Sequence, residues 1–451
     1  MAVRENRSHV RRYGTGDRLE HSATEGGKRA VQRRFLGLSA AVAALGMTAV
    51  LSGCGSDSGS GDVTLKVVAA NYDPNDGPSN QQYWDKLAAA FEAKNPHIKV
   101  DVSVYSWKVI DAKVAELVKS GHAPDIAQLG SYADYADQGK LYSADDLLSI
   151  GVQSNFLTSL SDAGEQDRVQ YGMPFVASTR LLFYNEKMFS NAGLKAPKTW
   201  ADLKSDAEAL KAQGVKYPYA LPLGTEEAQV EATQWLLSGD GGLTDGVGTY
   251  TIDSAQNVKT FNWLKNDLVG AGLTGPVAPA EFDRRQAYAA FTKGQVGMLN
   301  GHPQLVQQAA RKGIKVGMVP MPGISGPTKA TMGVADWIMG FKQNGHRTQI
   351  GAFLDDVFSD KNVLDLTRQY NLLPTTTSAS GTLADDPHHK SLKTFLDELP
   401  NSQLPPVGKT SWSVVSDDMK KGIGKAVAPG GNPASVLNQI QSEAASAQSA
   451  E

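Results

Sequence analysis

Reactive groups are few in this chain. It has one cysteine, Cys54, and 8 histidines. His388-His389 stand beside Asp385-Asp386, a mixture that suggests metal, but Pro387 and the surrounding charges mark an exposed loop. No G-x-S-x-G elbow, H-E-x-x-H helix or phosphate-cradling loop occurs. Acidic pairs appear at ordinary surface frequency, not as the placed pair that glycoside cleavage needs. No cofactor or metal is expected. The chain offers instead flat rings and planar polar side chains, with 7 Trp and 14 Tyr. Stretches 71–78, 105–108 and 128–132 are together rich in Trp, Tyr, Asn, Asp and Gln. A polar loop is ordinary, but large rings are costly to leave in water without a purpose. This is equipment for holding a molecule rather than cutting one.

Cys54 has its own chemistry. The first 34 residues are polar and basic, closing on Lys28, Arg29, Arg33 and Arg34, and residues 35–51 carry no charge. A basic region followed by an apolar one is the order of a secretory signal. Leu51-Ser52-Gly53-Cys54 then resembles the lipobox of bacterial lipoproteins, whose cysteine receives a diacylglycerol before cleavage. This predicts a signal peptide at 1–53 and a flexible Gly/Ser/Asp tether at 54–62. An uncleaved membrane anchor is the alternative, although 17 apolar residues is the short limit for spanning. Arg33-Arg34-Phe35-Leu36 also resembles a twin-arginine signal with irregular spacing, so the export route stays open. The product would be an extracytoplasmic protein, lipid-anchored to the outer face of the cytoplasmic membrane. Cleavage after residue 53 of 451 leaves 398 residues, enough for two ordinary domains without disulfides. A net charge of −3, with no basic patch interleaved with aromatics, argues against a nucleic-acid partner.

The elements that must position these groups read as α/β. Residues 63–71 form a first strand. Tyr83, Leu87 and Phe91, with Trp84 and Ala88 beside them, predict a helix that Asn95-Pro96 stops. Ile98, Val100, Val102 and Val104 alternate as a half-buried strand. A helix over 108–119 and a strand over 124–129 complete a β-α-β-α-β run, the pattern of a parallel sheet covered by helices. Ligands of such sheets sit beyond the carboxyl ends of the strands, where the aromatic loops lie. A second α/β region starts near Tyr171. Thr199-Trp-Ala-Asp202 predicts a capped helix start, and 294–299, 316–321 and 337–341 read as later strands.

Several segments together resemble the extracellular solute-binding proteins of bacterial ABC importers, in particular the carbohydrate-binding, maltose-binding-protein-like family. They include Phe91-Glu-Ala-Lys-Asn-Pro96, Ala123-Pro-Asp-Ile126 and Gly139-Lys-Leu-Tyr142. The stretch from Tyr171-Gly-Met-Pro to Tyr184-Asn-Glu-Lys-Met-Phe189 follows, then Pro197-Lys-Thr-Trp200, Ala290-Phe-Thr-Lys-Gly-Gln-Val-Gly-Met298, Val316-Gly-Met-Val-Pro-Met-Pro-Gly323 and Leu373-Pro-Thr375. Their order spans nearly all of the mature chain. The resemblance implies a two-lobed type II periplasmic-binding-protein-like fold, each lobe a mostly parallel sheet flanked by helices, with the ligand cleft between lobes. It implies lobe one at 63–175 and 334–373, and lobe two at 176–333 and 374–451. Crossovers would fall near 174–178, 331–335 and 373–376. Function would be capture of a mono- or oligosaccharide by a monomer and its delivery to permease subunits, without catalysis. A glycan-acting hydrolase, or a ligand sensor for a membrane kinase, is the alternative.

Sugars present apolar C–H faces and many hydroxyls, so stacking rings and planar polar groups are the residues to look for. Candidate stackers are Tyr72, Trp107, Tyr132, Trp235, Trp337 and Trp412. Asp336 and Trp337 are neighbours and point to opposite faces of a strand unless the backbone turns; otherwise Trp337 fills core and Asp336 caps a turn. Arg180 can fork two bonds to hydroxyls or tie the lobes by a salt bridge. Glu227 either meets ligand or, with Glu226 behind Thr225, suits a helix start. Trp235 is a stacker or core. His302, Asp73, Asp125 and Gln128 complete the set.

Overall fold

The computed structural model describes residues 62–72 and 79–451. The expected signal peptide, Cys54, most of the tether and Asp73 lie outside them. Twelve strands are defined among the described residues: β1 (Val63–Ala70), β2 (Ile98–Tyr105), β3 (Ile126–Leu129), β4 (Glu165–Gln166), β5 (Val169–Gln170), β6 (Met173–Thr179), β7 (Leu181–Asn185), β8 (Tyr217–Tyr219), β9 (Val296–Gly301), β10 (Val316–Val319), β11 (Thr331–Gly340) and β12 (Ser402–Gln403).

They build two principal sheets. The first runs β12-β11-β3-β1-β2, with β6 also paired to β11, and the second runs β10-β7-β9-β8. In the first, β1 is parallel to β2 and β3, whereas β11 is antiparallel to β3 and β6. In the second, β7 is antiparallel to β9 and β10, and only β8 with β9 is parallel. The two-lobed α/β class holds; with β11 also parallel to β12, pairing is mostly parallel in the first sheet, as expected, but mostly antiparallel in the second. The reason is directional. Strands β1, β3, β8 and β9 run toward the space between the sheets. Strands β7 and β11 start there, so they run the opposite way and pair antiparallel.

The sheet changes within one residue. β6 ends at Thr179 and β7 begins at Leu181, so Arg180 is the whole link. Strand β11 enters from the other side, and its first residue Thr331 donates its hydroxyl to the Arg180 carbonyl at 2.8 Å. A third passage runs along Leu373, whose backbone pairs with Ala177. The helices follow the sequence logic. In Ser79–Lys94 the predicted apolar face is buried, with Trp84 at 0% exposure stacked on Phe175. Each such ring or aliphatic side chain contributes about 1.5–3 kcal/mol by leaving water. Helix Trp200–Ala212 starts at the predicted capping box: Thr199 Oγ1 accepts from the Asp202 amide and Asp202 Oδ2 accepts from the Thr199 amide, each at 3.1 Å. Loss of such a cap costs about 1 kcal/mol.

Candidate functional site

The carboxyl ends of β1 and β3 deliver the first half of a polar seam between the sheets. Beyond Ala70, the Asn71 amide donates to the Tyr105 carbonyl at 2.8 Å, holding the chain so that Tyr72 turns inward. Gln128, fully buried, accepts from the Ala70 amide at 3.0 Å and donates through Nε2 to the Tyr72 hydroxyl oxygen. That hydroxyl donates to Asp336 Oδ2 at 2.6 Å. Asp336 faces the seam because the pairing of β11 with β6 slips between Asp336 and Trp337; a bulge of this kind re-aims side chains. Burial pushes the Asp336 carboxyl up to about 7, opposed by the Tyr72 hydrogen bond. Against the Tyr72 ring lie Trp107, edge-on at 6.1 Å, and Tyr370 at 6.2 Å. Trp107 keeps part of its surface in solvent.

The second half comes from the link and from the second sheet. Arg180 is 5% exposed; its Nη1 donates to Ser178 Oγ at 3.1 Å and its Nη2 to Glu227 Oε1 at 2.9 Å. Glu227 is the residue before helix Ala228–Ser238, yet its side chain caps nothing. The helix starts where the sequence placed it, but the carboxylate is held by two guanidinium groups instead of the helix amides. Arg284 forms an ion pair with Glu227 Oε2 and donates Nη2 to Glu226 Oε1 at 2.8 Å. Burial alone would raise Glu227, but Arg284 and Arg180 overcome it and hold the carboxylate below its usual range. His302 follows β9, with Nε2 at 3.1 Å from Arg284 Nη1. Burial, then Arg284 and Arg180, hold His302 well below the ordinary imidazole value. It is therefore neutral, with Nε2 the acceptor and the proton on Nδ1. The halves join where Gln304 Nε2 donates to the Tyr72 carbonyl at 3.1 Å.

The remaining predicted residues go elsewhere. Trp235 is fully buried among Trp200, Trp263 and Tyr219, its indole N–H donating to Glu231 at 2.9 Å. It packs the second sheet's core, so its stacking role is corrected. Asp125 stands just before β3, at the opposite end from Gln128, where it accepts from the Lys66 amide at 2.7 Å and meets His346 at 2.9 Å. It fastens the far edge of the sheet, so its ligand role is corrected too. Trp337 is fully buried with its ring 5.5 Å from Tyr132. Gly164 and Gly172 have no room for a Cβ against these rings. The Tyr132 hydroxyl donates to the Ala163 and Glu165 carbonyls at 2.9 Å each. Trp412 is buried in helix Ser411–Gly422. A cavity of about 720 Å³ lies between the β4–β5 hairpin and residues 402–410, and no seam residue lines it.

Glu226, Arg284 and Gln304 belong to the seam without having been singled out from sequence. Arg284 opens helix Arg284–Thr292, where an arginine reads as surface charge. Only the fold brings it to Glu227. No nucleophile is paired with a base in this cluster. What it supplies is fixed donors and acceptors, mostly engaged with one another, beside a partly exposed ring. Among the described residues, no group of three or more His, Cys, Asp or Glu is placed to hold a metal ion, and no helix is long and apolar enough to cross a membrane.

Comparison with known proteins adds the following. The family model for the bacterial extracellular solute-binding protein matches residues 77–363. A Brucella abortus (strain 2308) protein named for binding, without a stated ligand, is 26% identical over 397 residues, 84% of this chain and 92% of its own. The sn-glycerol-3-phosphate-binding periplasmic protein of Shigella dysenteriae is 27% identical over 319 residues, 65% of this chain and 71% of its own. Among solved structures, the acarbose-binding GacH receptor of Streptomyces glaucescens superposes with a TM-score of 0.74 at 19% identity, covering 86% of this chain and 99% of its own. A Thermotoga lettingae ABC solute-binding protein bound to alpha-D-tagatose gives 0.73 at 16% identity, covering 85% and 99%. At these identities the structural likeness speaks for the two-lobed fold.

Proposed function

The chain belongs to the family of bacterial extracellular solute-binding proteins, and from that premise we propose that it captures an uncharged mono- or oligosaccharide for an ABC permease. The observation that carries this reading is the seam itself: planar amide, carboxyl and guanidinium groups, with Glu227 paired to both Arg180 and Arg284, beside Tyr72 and Trp107. A polyhydroxyl ligand brings donors and acceptors but no charge, so it can exchange with these pairs without leaving an ion unpartnered. Carbohydrate ligands of the tagatose- and acarbose-binding relatives in fold agree with this.

We assign lobe one to the sheet of β1, β2, β3, β6 and β11, and lobe two to the sheet of β7 to β10. Opening about the links at Arg180, 320–331 and 373–376 would admit the ligand, and closure would signal a loaded receptor. Cys54 would carry the lipid that keeps a monomeric receptor at the outer face of the membrane, near its permease.

A hydrolase has one point in its favour: Asp336 is raised while Glu227 is lowered, the separation seen in acid–base pairs. Both Glu227 oxygens, however, are taken by guanidinium groups, which leaves no free base. A thermal-shift and Trp-fluorescence screen over mono-, di- and trisaccharides should find a stabilising sugar with no product formed. A screen without any response would refute the ligand class, and product from an oligosaccharide would favour the hydrolase.

A further inference from the structure

Two arginines in a binding seam would ordinarily invite an anion. Here each is already paired with a carboxylate. Arg180, with a side chain 6% exposed, gives Nη2 to Glu227, and Arg284, 25% exposed, forms an ion pair with the other oxygen of the same carboxylate. Arg284 gives Nη2 to Glu226, which Arg285 shares at 3.1 Å. His302 presents its Nε2 to Arg284 as a neutral acceptor and adds no charge. The other charged groups sensed in the seam are Lys420 near Glu227 and Asp111, and the Asp336 carboxyl. Cations and carboxylates are thus nearly balanced. Glu227 is the pivot, because it alone engages both guanidinium groups, the buried Arg180 and the partly exposed Arg284.

We propose that Glu227 determines charge selectivity: by holding Arg180 and Arg284 it closes the seam to phosphate-bearing solutes, and neutralising it opens the seam to phosphate monoesters. This rests on the seam being the ligand site. An incoming phosphate would have to displace a carboxylate already bidentate between two guanidinium groups, then sit beside it with like charge. An uncharged hydroxyl meets no such barrier. With Glu227→Gln, the amide keeps one oxygen acceptor and loses the charge, so Arg180 loses its carboxylate while Arg284 keeps Glu226, leaving a positive charge of the type that binds phosphate.

The test uses paired probes on the mature protein, glycerol against sn-glycerol 3-phosphate and glucose against glucose 6-phosphate, by titration calorimetry. The wild type should discriminate against both phosphate esters. Glu227→Gln should gain at least ten-fold for the esters, about 1.4 kcal/mol, with a gain that shrinks as salt rises. Tight ester binding by the wild type, or a cooperatively folded Glu227→Gln without gain, overturns the proposal. Should that variant not fold, Glu226→Gln frees one Arg284 bond and should show a smaller gain of the same sign; absence of a gain there also overturns it. If neither variant folds, wild-type discrimination between the ester and its uncharged twin decides. A gain in Glu227→Gln while no saccharide binds the wild type would defeat the sugar reading and leave the selectivity role standing.

Discussion

Glu231 lies one turn beyond Glu227 in helix Ala228–Ser238 and is 7% exposed. Its Oε1 accepts from Trp235 Nε1 at 2.9 Å, Asn300 Nδ2 at 3.0 Å and the Tyr219 hydroxyl at 3.4 Å. Burial nonetheless pushes the carboxyl from 4.5 up to about 7. The folded protein therefore keeps this proton to near neutrality, whereas the unfolded chain releases it near 4.5. Because the folded state binds more protons in that window, the associated stability is full below 4.5 and falls as pH rises through 7. At about 1.4 kcal/mol per pH unit, the loss amounts to about 3 kcal/mol. Glu231→Gln retains the oxygen acceptor and carries no charge, so it should match the wild type near about pH 4 and exceed it by up to that amount near about pH 8. Asp336, raised to about 7 from 3.8, contributes a slope of the same sign, so Glu231→Gln should flatten the profile only in part. Urea unfolding followed by Trp fluorescence across that range measures both variants. Parallel wild-type and Glu231→Gln profiles would refute the reasoning.

Two further perturbations separate packing from binding and anchor from receptor. Trp235→Ala should cost about 3–5 kcal/mol of stability, whereas Trp107→Ala, on a half-exposed ring, should leave the melting temperature nearly unchanged and weaken binding of a sugar found by screening about ten-fold; the reverse pattern would mean the two rings have been misassigned. Cys54→Ser should shift the protein from the membrane to the soluble fraction on cell fractionation with sugar binding intact, and retention on the membrane would rule out the lipid anchor.

Much of the scaffold was legible before any coordinates. The Tyr83–Leu87–Phe91 face, the alternation in β2 and the capping box at Thr199–Asp202 reappear as buried face, strand and cap, because each depends on residues a few positions apart. Strand β11 was half seen: 337–341 read as a strand, but it begins at Thr331. Its first half holds Gly333 and Asp336, which break the apolar run, and pairing with β6 stabilises it. Trp235 and Trp107 looked alike as aromatic candidates. Their difference arises because Trp235 meets Trp200 and Trp263 from other helices, while Trp107 stays at the rim beside Tyr72.

Composition, periodicity and capping residues determined by themselves that this is an α/β chain with aromatic, amide-rich strand ends and no reactive thiol beyond Cys54. Those properties follow from short-range rules of backbone geometry and burial. The tertiary structure alone decided which strands run antiparallel, since that depends on a chain that changes sheets at Arg180. It alone brought Glu227 to Arg180 and to Arg284, 57 residues farther on. Local propensity placed Glu227 at a helix start and Arg284 on a helix surface. In the partly buried seam, opposite charges attract more strongly than in bulk solvent, so the carboxylate pairs with the two guanidinium groups rather than with the helix amides.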